Sequence, residues 1–153
     1  MYHKKHISIL RIVAALLVLT LAMPISAKAA TVEPVQPQAS AYLDMYSAYV
    51  YAAGDGKVQV WYDVRGTRYV GMLGVKTIKL YHSIDSQTWY LAQTYSYETT
   101  PSLMSYNDYF HSGHVDFDGV PGRFYKATVT FYGGSSATTG DSRDYYTSTI
   151  LSD

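Results

Sequence analysis

Lys57-Val58-Gln59-Val60-Trp61-Tyr62-Asp63-Val64, KVQVWYDV, alternates between two chemistries. Val58, Val60, Tyr62 and Val64 share one side of an extended chain; Lys57, Gln59, Trp61 and Asp63 share the other. Side chains of a strand point to opposite faces with a period of two, so the octapeptide reads as a half-buried β-strand. Just upstream, Gly54-Asp55-Gly56 contains Asp-Gly, a hairpin signal, and Ala48-Tyr49-Val50-Tyr51 is its β-rich partner.

The same period continues downstream. Gly66–Gly74 reads as a loop, and Val75–His82 puts Ile78 and Leu80 near the core. Ser83–Thr88 is a turn rich in Ser and Asp, and Trp89–Tyr97 is a fourth strand. Ser96–Phe110 reads as a long connection around Pro101. Gly113–Asp118 alternates with Val115 and Phe117 inward, and Gly119-Val120-Pro121-Gly122 turns the chain. Phe124–Tyr132 places Tyr125, Ala127, Val129 and Phe131 on one face. Gly133–Ser142 is a flexible loop and Asp144–Leu151 the last strand. Seven short strands punctuated by turns, with no helical period outside the N-terminus, predict an all-β sandwich.

Val120-Pro121-Gly122-Arg123-Phe124-Tyr125-Lys126-Ala127-Thr128-Val129 resembles the E–F corner of fibronectin type III and related immunoglobulin-like domains. The resemblance implies a seven-stranded immunoglobulin-like or fibronectin type III-like sandwich. It implies that Tyr125, after Pro121 and Gly122, is a corner tyrosine whose hydroxyl bonds nearby backbone. It also implies that Trp61 is the core tryptophan, which conflicts with its place on the polar face of KVQVWYDV. One sheet would hold Ala48–Tyr51, Lys57–Val64 and Gly113–Asp118. The other would hold Val75–His82, Trp89–Tyr97, Phe124–Tyr132 and Asp144–Leu151. Over Tyr42–Leu151, the runs AYVYAAGDGKVQVWYDV, IKLYHSIDSQTW, GHV and GRFYKATVTFY resemble an uncharacterised family of small exported Gram-positive bacterial β-sandwich domains. That resemblance implies a fold and no catalytic residues.

The N-terminus sets the compartment. Met1–Arg11 is basic, Ile12–Ile25 is an apolar run of fourteen residues, and Ala27-Lys28-Ala29 supplies small residues for cleavage. Residues 1–29 therefore read as a secretory signal peptide, too short for a spanning helix of roughly 20 apolar residues. Residues 30–40, ATVEPVQPQAS, read as a tether broken by Pro34 and Pro37, and 41–153 as the domain. The expected mature chain has 124 residues and no cysteine, so it holds together without disulfides. Removal of Lys4, Lys5, Arg11 and Lys28 leaves eight basic residues against twelve acidic, a net charge of −4. That sign argues against nucleic acid and anionic lipid as partners. With no apolar tail or basic cluster in Thr149–Asp153, the expected product is secreted and free of the membrane.

Chemistry-bearing patterns are sparse. Ser83-Ile84-Asp85-Ser86-Gln87-Thr88-Trp89 resembles a shortened Asp-box without its glycine, which reads as a structural hairpin with Trp89 as a packing residue. His114, Asp116 and Asp118 lie two apart on one strand face, with His111 on the other parity unless a bulge at Ser112-Gly113 re-aims it. These four residues are the candidate metal set, weighed against the ordinary polar face of a strand. Gly-x-Ser-x-Gly, HExxH and a phosphate loop are absent, so no cofactor and no catalytic residue are expected. Sixteen of the seventeen tyrosines lie beyond residue 29. Tyr95, Tyr97, Tyr106, Tyr109 and Phe110 flank or fill the long connection and are the candidate ligand-binding residues; Tyr69 lies in another loop. The leading expectation is a non-enzymatic extracellular binding module for a protein or glycan. A small metal-dependent enzyme or metal-binding protein is the second expectation and a structural envelope component the third.

Overall fold

The structure is a computed structural model that describes residues 40–153. The signal peptide expected over 1–29 and the tether expected over 30–40, save Ser40, lie outside the described residues. Seven strands follow one another: β1 Leu43–Gly54, β2 Lys57–Ser83, β3 Tyr90–Ser96, β4 Met104–Asp118, β5 Phe124–Gly134, β6 Gly140–Tyr146 and β7 Ile150–Leu151. Every pairing is antiparallel, and all seven belong to one curled sheet.

The long β2 organises it. Its N-terminal part lies between β1 and β4, so that Val60 faces Val50 on one side and Val115 on the other. Its C-terminal part lies between β3 and β5, and β5 carries β6 and β7 on its far side. Both parts turn apolar residues into one core. Val58, Val60, Val64, Val75, Ile78 and Leu80 of β2 are fully buried with Val129 and Phe131 of β5. Tyr46 of β1 packs its ring 5.2 Å from Phe131 and 6.4 Å from Tyr145 of β6, which joins the two halves across the core.

Several expectations need correction. Gly66–Gly74 is not a loop but the middle of β2, which fuses two of the expected strands. Its glycines are there for close approach. A methyl on Gly71 would collide with the Ser135 carbonyl, and one on Gly74 with the Leu103 carbonyl. The strand is bent, because Gly66–Tyr69 bulge out between Arg65, opposite Phe110, and Val70, opposite Asp108. Ser96–Phe110 is not one long connection. It holds a short turn, a 3₁₀ turn at Pro101–Leu103 and the start of β4. Asn107, at φ 52°, breaks the alternation there and hides the strand from a period-two reading. Gly133 and Gly134 end β5 and Gly140–Ser142 begin β6, so the expected flexible loop shrinks to Ser135–Thr139. The expected last strand divides into β6 and β7. The two expected sheets are halves of a single hydrogen-bonded sheet, because β2 runs through both.

Local chemistry fastens the turns. Asp55 and Gly56, at φ 54° and 77°, give the β1–β2 hairpin the left-handed pair that a type I′ turn requires. Ser40 donates its hydroxyl to Asp141 at 2.6 Å, so it is docked on β6 rather than part of a tether. Ser152, 2 % exposed, donates to the Val120 carbonyl at 2.8 Å and seals the Gly119–Arg123 turn. In that turn Gly122 sits at φ 75° after Pro121, and Tyr125, 1 % exposed, accepts the Val120 N–H at 2.8 Å. In the β2–β3 turn, Asp85 accepts the N–H groups of Thr88 and Gln87 and the Ser83 hydroxyl, each at 2.8 Å. Those bonds favour the carboxylate and hold its pKa at about 2.

Two outcomes are expected. Tyr125→Phe leaves the Val120 N–H without its acceptor and costs about 1–3 kcal/mol of stability in urea unfolding. Asp85 is ionised to lower pH in the folded than in the unfolded chain. Its stabilisation is therefore complete above the ordinary carboxylate range and is lost as pH falls towards about 2. Thermal melts of Asp85→Asn between pH 5 and 2 should show a smaller acid-induced drop than the parent.

Candidate functional site

The outer face of β1, β2 and β4 carries the residues that alternation excludes from the core. Cross-strand register arranges them in rows: Met45–Arg65–Phe110, Ser47–Asp63–Ser112, Tyr49–Trp61–His114 and Tyr51–Gln59–Asp116. The third row is aromatic throughout. Tyr49 and Trp61 are 6.4 Å apart with planes 4° from parallel; Trp61 and His114 are 4.4 Å apart at 25°. Directly opposed residues on antiparallel strands have Cβ atoms about 5 Å apart, so rings in one row meet.

Hydrogen bonds tie this row to the next. The Trp61 indole N–H donates to Gln59 Oε1 at 2.9 Å, and the Gln59 amide donates to Asp116 Oδ1 at 2.8 Å. Asp116 Oδ2 lies 3.6 Å from His114 Nε2, and His114 stacks back on Trp61. Trp61, Gln59, Asp116 and His114 thus form a closed circuit of side chains on the sheet exterior. At its rim Tyr49 and Tyr51, 53 % and 54 % exposed, stand on β1, which is an edge strand here. Below it, Ser47 donates to Asp63, and Arg65 pairs with Asp44 at 2.8 Å.

Trp61 therefore belongs to the outer face, as the alternation of KVQVWYDV requires, and not to the core. Its neighbours Val60 and Tyr62 point inward, and a residue between them must point outward. The other sequence candidates scatter. Tyr95 and Tyr97 pack partly buried against the core. Tyr95 donates to the Asp116 carbonyl at 2.6 Å; burial first, then the charges of Asp116 and Asp118, push its hydroxyl pKa up. Tyr106, Tyr109 and Phe110 are exposed, but they stand on β4 rather than in a loop. Phe110 shares the outer face, and Tyr109 instead lies 5.2 Å from Tyr69 at the β2 bulge.

The candidate metal set does not converge. His114 and Asp116 face outward, while His111 has the opposite parity and lies 5.7 Å from the ring of Tyr62. Tyr62 donates to the Ser102 carbonyl at 3.1 Å, and burial pushes its pKa up to about 12. Among the described residues, no group of three His, Cys, Asp or Glu side chains is placed to hold a metal ion. Trp89, half-buried just before β3, carries the Lys126 ammonium 4.0 Å above its ring. Tyr49, Tyr51 and Gln59 were missed by sequence reasoning. The signal available was the outward half of KVQVWYDV read together with its hairpin partner.

No protein-family model matches the chain, and no curated protein matches it in sequence.

The stacked pair has a measurable strength. A double-mutant cycle with Trp61→Ala and His114→Ala, read by chemical unfolding, should give a favourable coupling of about 0.5–1.5 kcal/mol.

Proposed function

We propose that the chain is an exported, non-enzymatic binding module whose ligand is a glycan, held on the outer face of β1, β2 and β4. The observation that carries this reading is the closed circuit of Trp61, Gln59, Asp116 and His114 beside the exposed rings of Tyr49 and Tyr51. A pyranose ring has apolar C–H faces and a polar hydroxyl rim. The C–H faces suit the negative face of an aromatic ring, and the hydroxyls suit fixed amide and carboxylate groups within reach of it. The circuit holds those groups before the ligand arrives, which lowers the ordering cost of binding. Core packing asks nothing of these side chains, since they lie on the far side of the strands from Val58, Val60 and Val64.

Export is part of the proposal and rests on the basic, apolar and small-residue order of residues 1–29. The fold is read as a variant of the immunoglobulin-like or fibronectin type III-like sandwich. The grouping of strands into two halves around one core and the Tyr125–Val120 bond support that reading.

A glycan array of neutral oligosaccharides, followed by calorimetry on the strongest hit, tests the site. Tyr49→Ala and Tyr51→Ala should each weaken binding roughly 3- to 10-fold, the value of one aromatic contact, without lowering Tm appreciably. Binding that persists undiminished in the double variant would assign the ligand to another surface.

A further inference from the structure

The opposite half of the sheet has an outer face of different character. A groove of about 510 Å³ lies on it, lined by Tyr81, Trp89, Lys126, Thr128 and Tyr146 and by the Thr147–Thr149 link between β6 and β7. That volume is in the range of small-ligand sites, roughly 300–1,000 Å³. Register explains the company. Tyr81 lies opposite Lys126, and Lys79, Thr128 and Tyr146 form the next row.

We propose that this groove is a second binding site, which takes a carboxylate-bearing saccharide unit such as a uronic acid. The Lys126 ammonium lies 4.0 Å above the Trp89 ring, so its position is set by a cation–π contact rather than by an acid. Among the described residues Lys126 has no carboxylate within 4.0 Å, and the ion pairs there are Arg65–Asp44 and His114–Asp116. Two rows from Lys126, Asp144 accepts the Thr130 hydroxyl at 2.7 Å. Lys79, exposed opposite Thr128, adds a second positive charge to the same face. A positioned ammonium without an anion, between tyrosine rings and threonine hydroxyls, complements a sugar ring that bears a carboxylate.

The groove is also built from its ends. The Asp85 turn fixes the chain that delivers Trp89, through bonds to the N–H groups of Gln87 and Thr88. On the other side, Thr147 accepts the Ala127 N–H at 2.9 Å and its own N–H donates to the Ala127 carbonyl at 3.0 Å. These bonds hold the Thr147–Thr149 link against β5. The aromatic walls and the cation are therefore placed by turns that carry no part of the Tyr49 site, and the two sites are independent.

Calorimetry with an oligogalacturonate and with its methyl ester tests the proposal, since the ester removes the charge and keeps the sugar. Expected is saturable binding of the acid and at least about tenfold weaker binding of the ester. Lys126→Gln should reproduce that loss, Lys126→Arg should retain binding, and Tyr49→Ala should leave it unchanged, with circular dichroism showing each variant folded. Three results overturn it: no saturable binding of the acid, equal binding of acid and ester, or binding by Lys126→Gln at parental strength. Because Tyr49→Ala reads only the other face, failure here and failure of the Tyr49 site are separate results.

Discussion

A strand of 27 residues cannot be straight in a domain of this size. Fully extended, β2 would run about 90 Å, whereas a compact unit of some 114 residues is roughly 35 Å across. The strand must therefore turn back on the core it helps to enclose. It does so where Gly66–Tyr69 bulge from the β4 ladder and again where Lys76 is inserted opposite β5, between the Val75 and Thr77 pairs. β2 supplies hydrogen-bond partners to β1, β3, β4 and β5, so the bend fixes the placement of nearly every other strand. A bulge also raises local twist, which carries one half of the sheet over the other without breaking the ladder.

This constraint explains what the sequence discloses and what it hides. Local alternation is a property of two or three neighbouring residues, and KVQVWYDV and FYKATVTFY show it clearly: Val58, Val60, Val129 and Phe131 are all fully buried. Bulges and left-handed residues interrupt alternation, so Gly66–Gly74 and Met104–Phe110 read as loops although both are strand. The glycines there serve close contacts with Ser135 and Leu103, partners more than thirty residues or nearly thirty residues away, which no local pattern reveals. The grouping of strands into halves was legible. The continuity between the halves was not, because it is decided by the register of β2 against β4 and β5.

The site follows the same rule. Tyr49 and Trp61 stand on the two arms of one hairpin and His114 is distant in sequence, so the hairpin register and the β2–β4 register together put them in one row. Each residue alone is an ordinary outward position of a strand. Of the five aromatic residues that flank or fill the segment read as a loop, Tyr95 and Tyr97 are consumed by packing against the core, whereas Tyr106, Tyr109 and Phe110 stand exposed on β4. A cluster of aromatic residues in sequence identifies a surface only when the register leaves them facing out together.

One strand with two outer faces also separates two chemistries. The outward residues of its N-terminal part, Gln59, Trp61 and Asp63, meet Asp116, His114 and Ser112 of β4, and Asp118 stands opposite Lys57. The outward residues of its C-terminal part, Lys79 and Tyr81, meet Thr128 and Lys126 of β5. The first face thus sets Asp63, Asp116 and Asp118 against Lys57 and Arg65, and the second sets Lys79 and Lys126 against Asp144, although the chain from residue 30 onward is acidic as a whole. Charges on one face are separated from those on the other by the apolar core and by solvent screening over a Debye length of about 8 Å at physiological salt. The two proposed sites therefore differ in charge: Asp116 lies within the Tyr49 face, and Lys126, with no carboxylate within 4.0 Å, lines the groove. The bend in β2 keeps these two outer faces apart within a single folded unit.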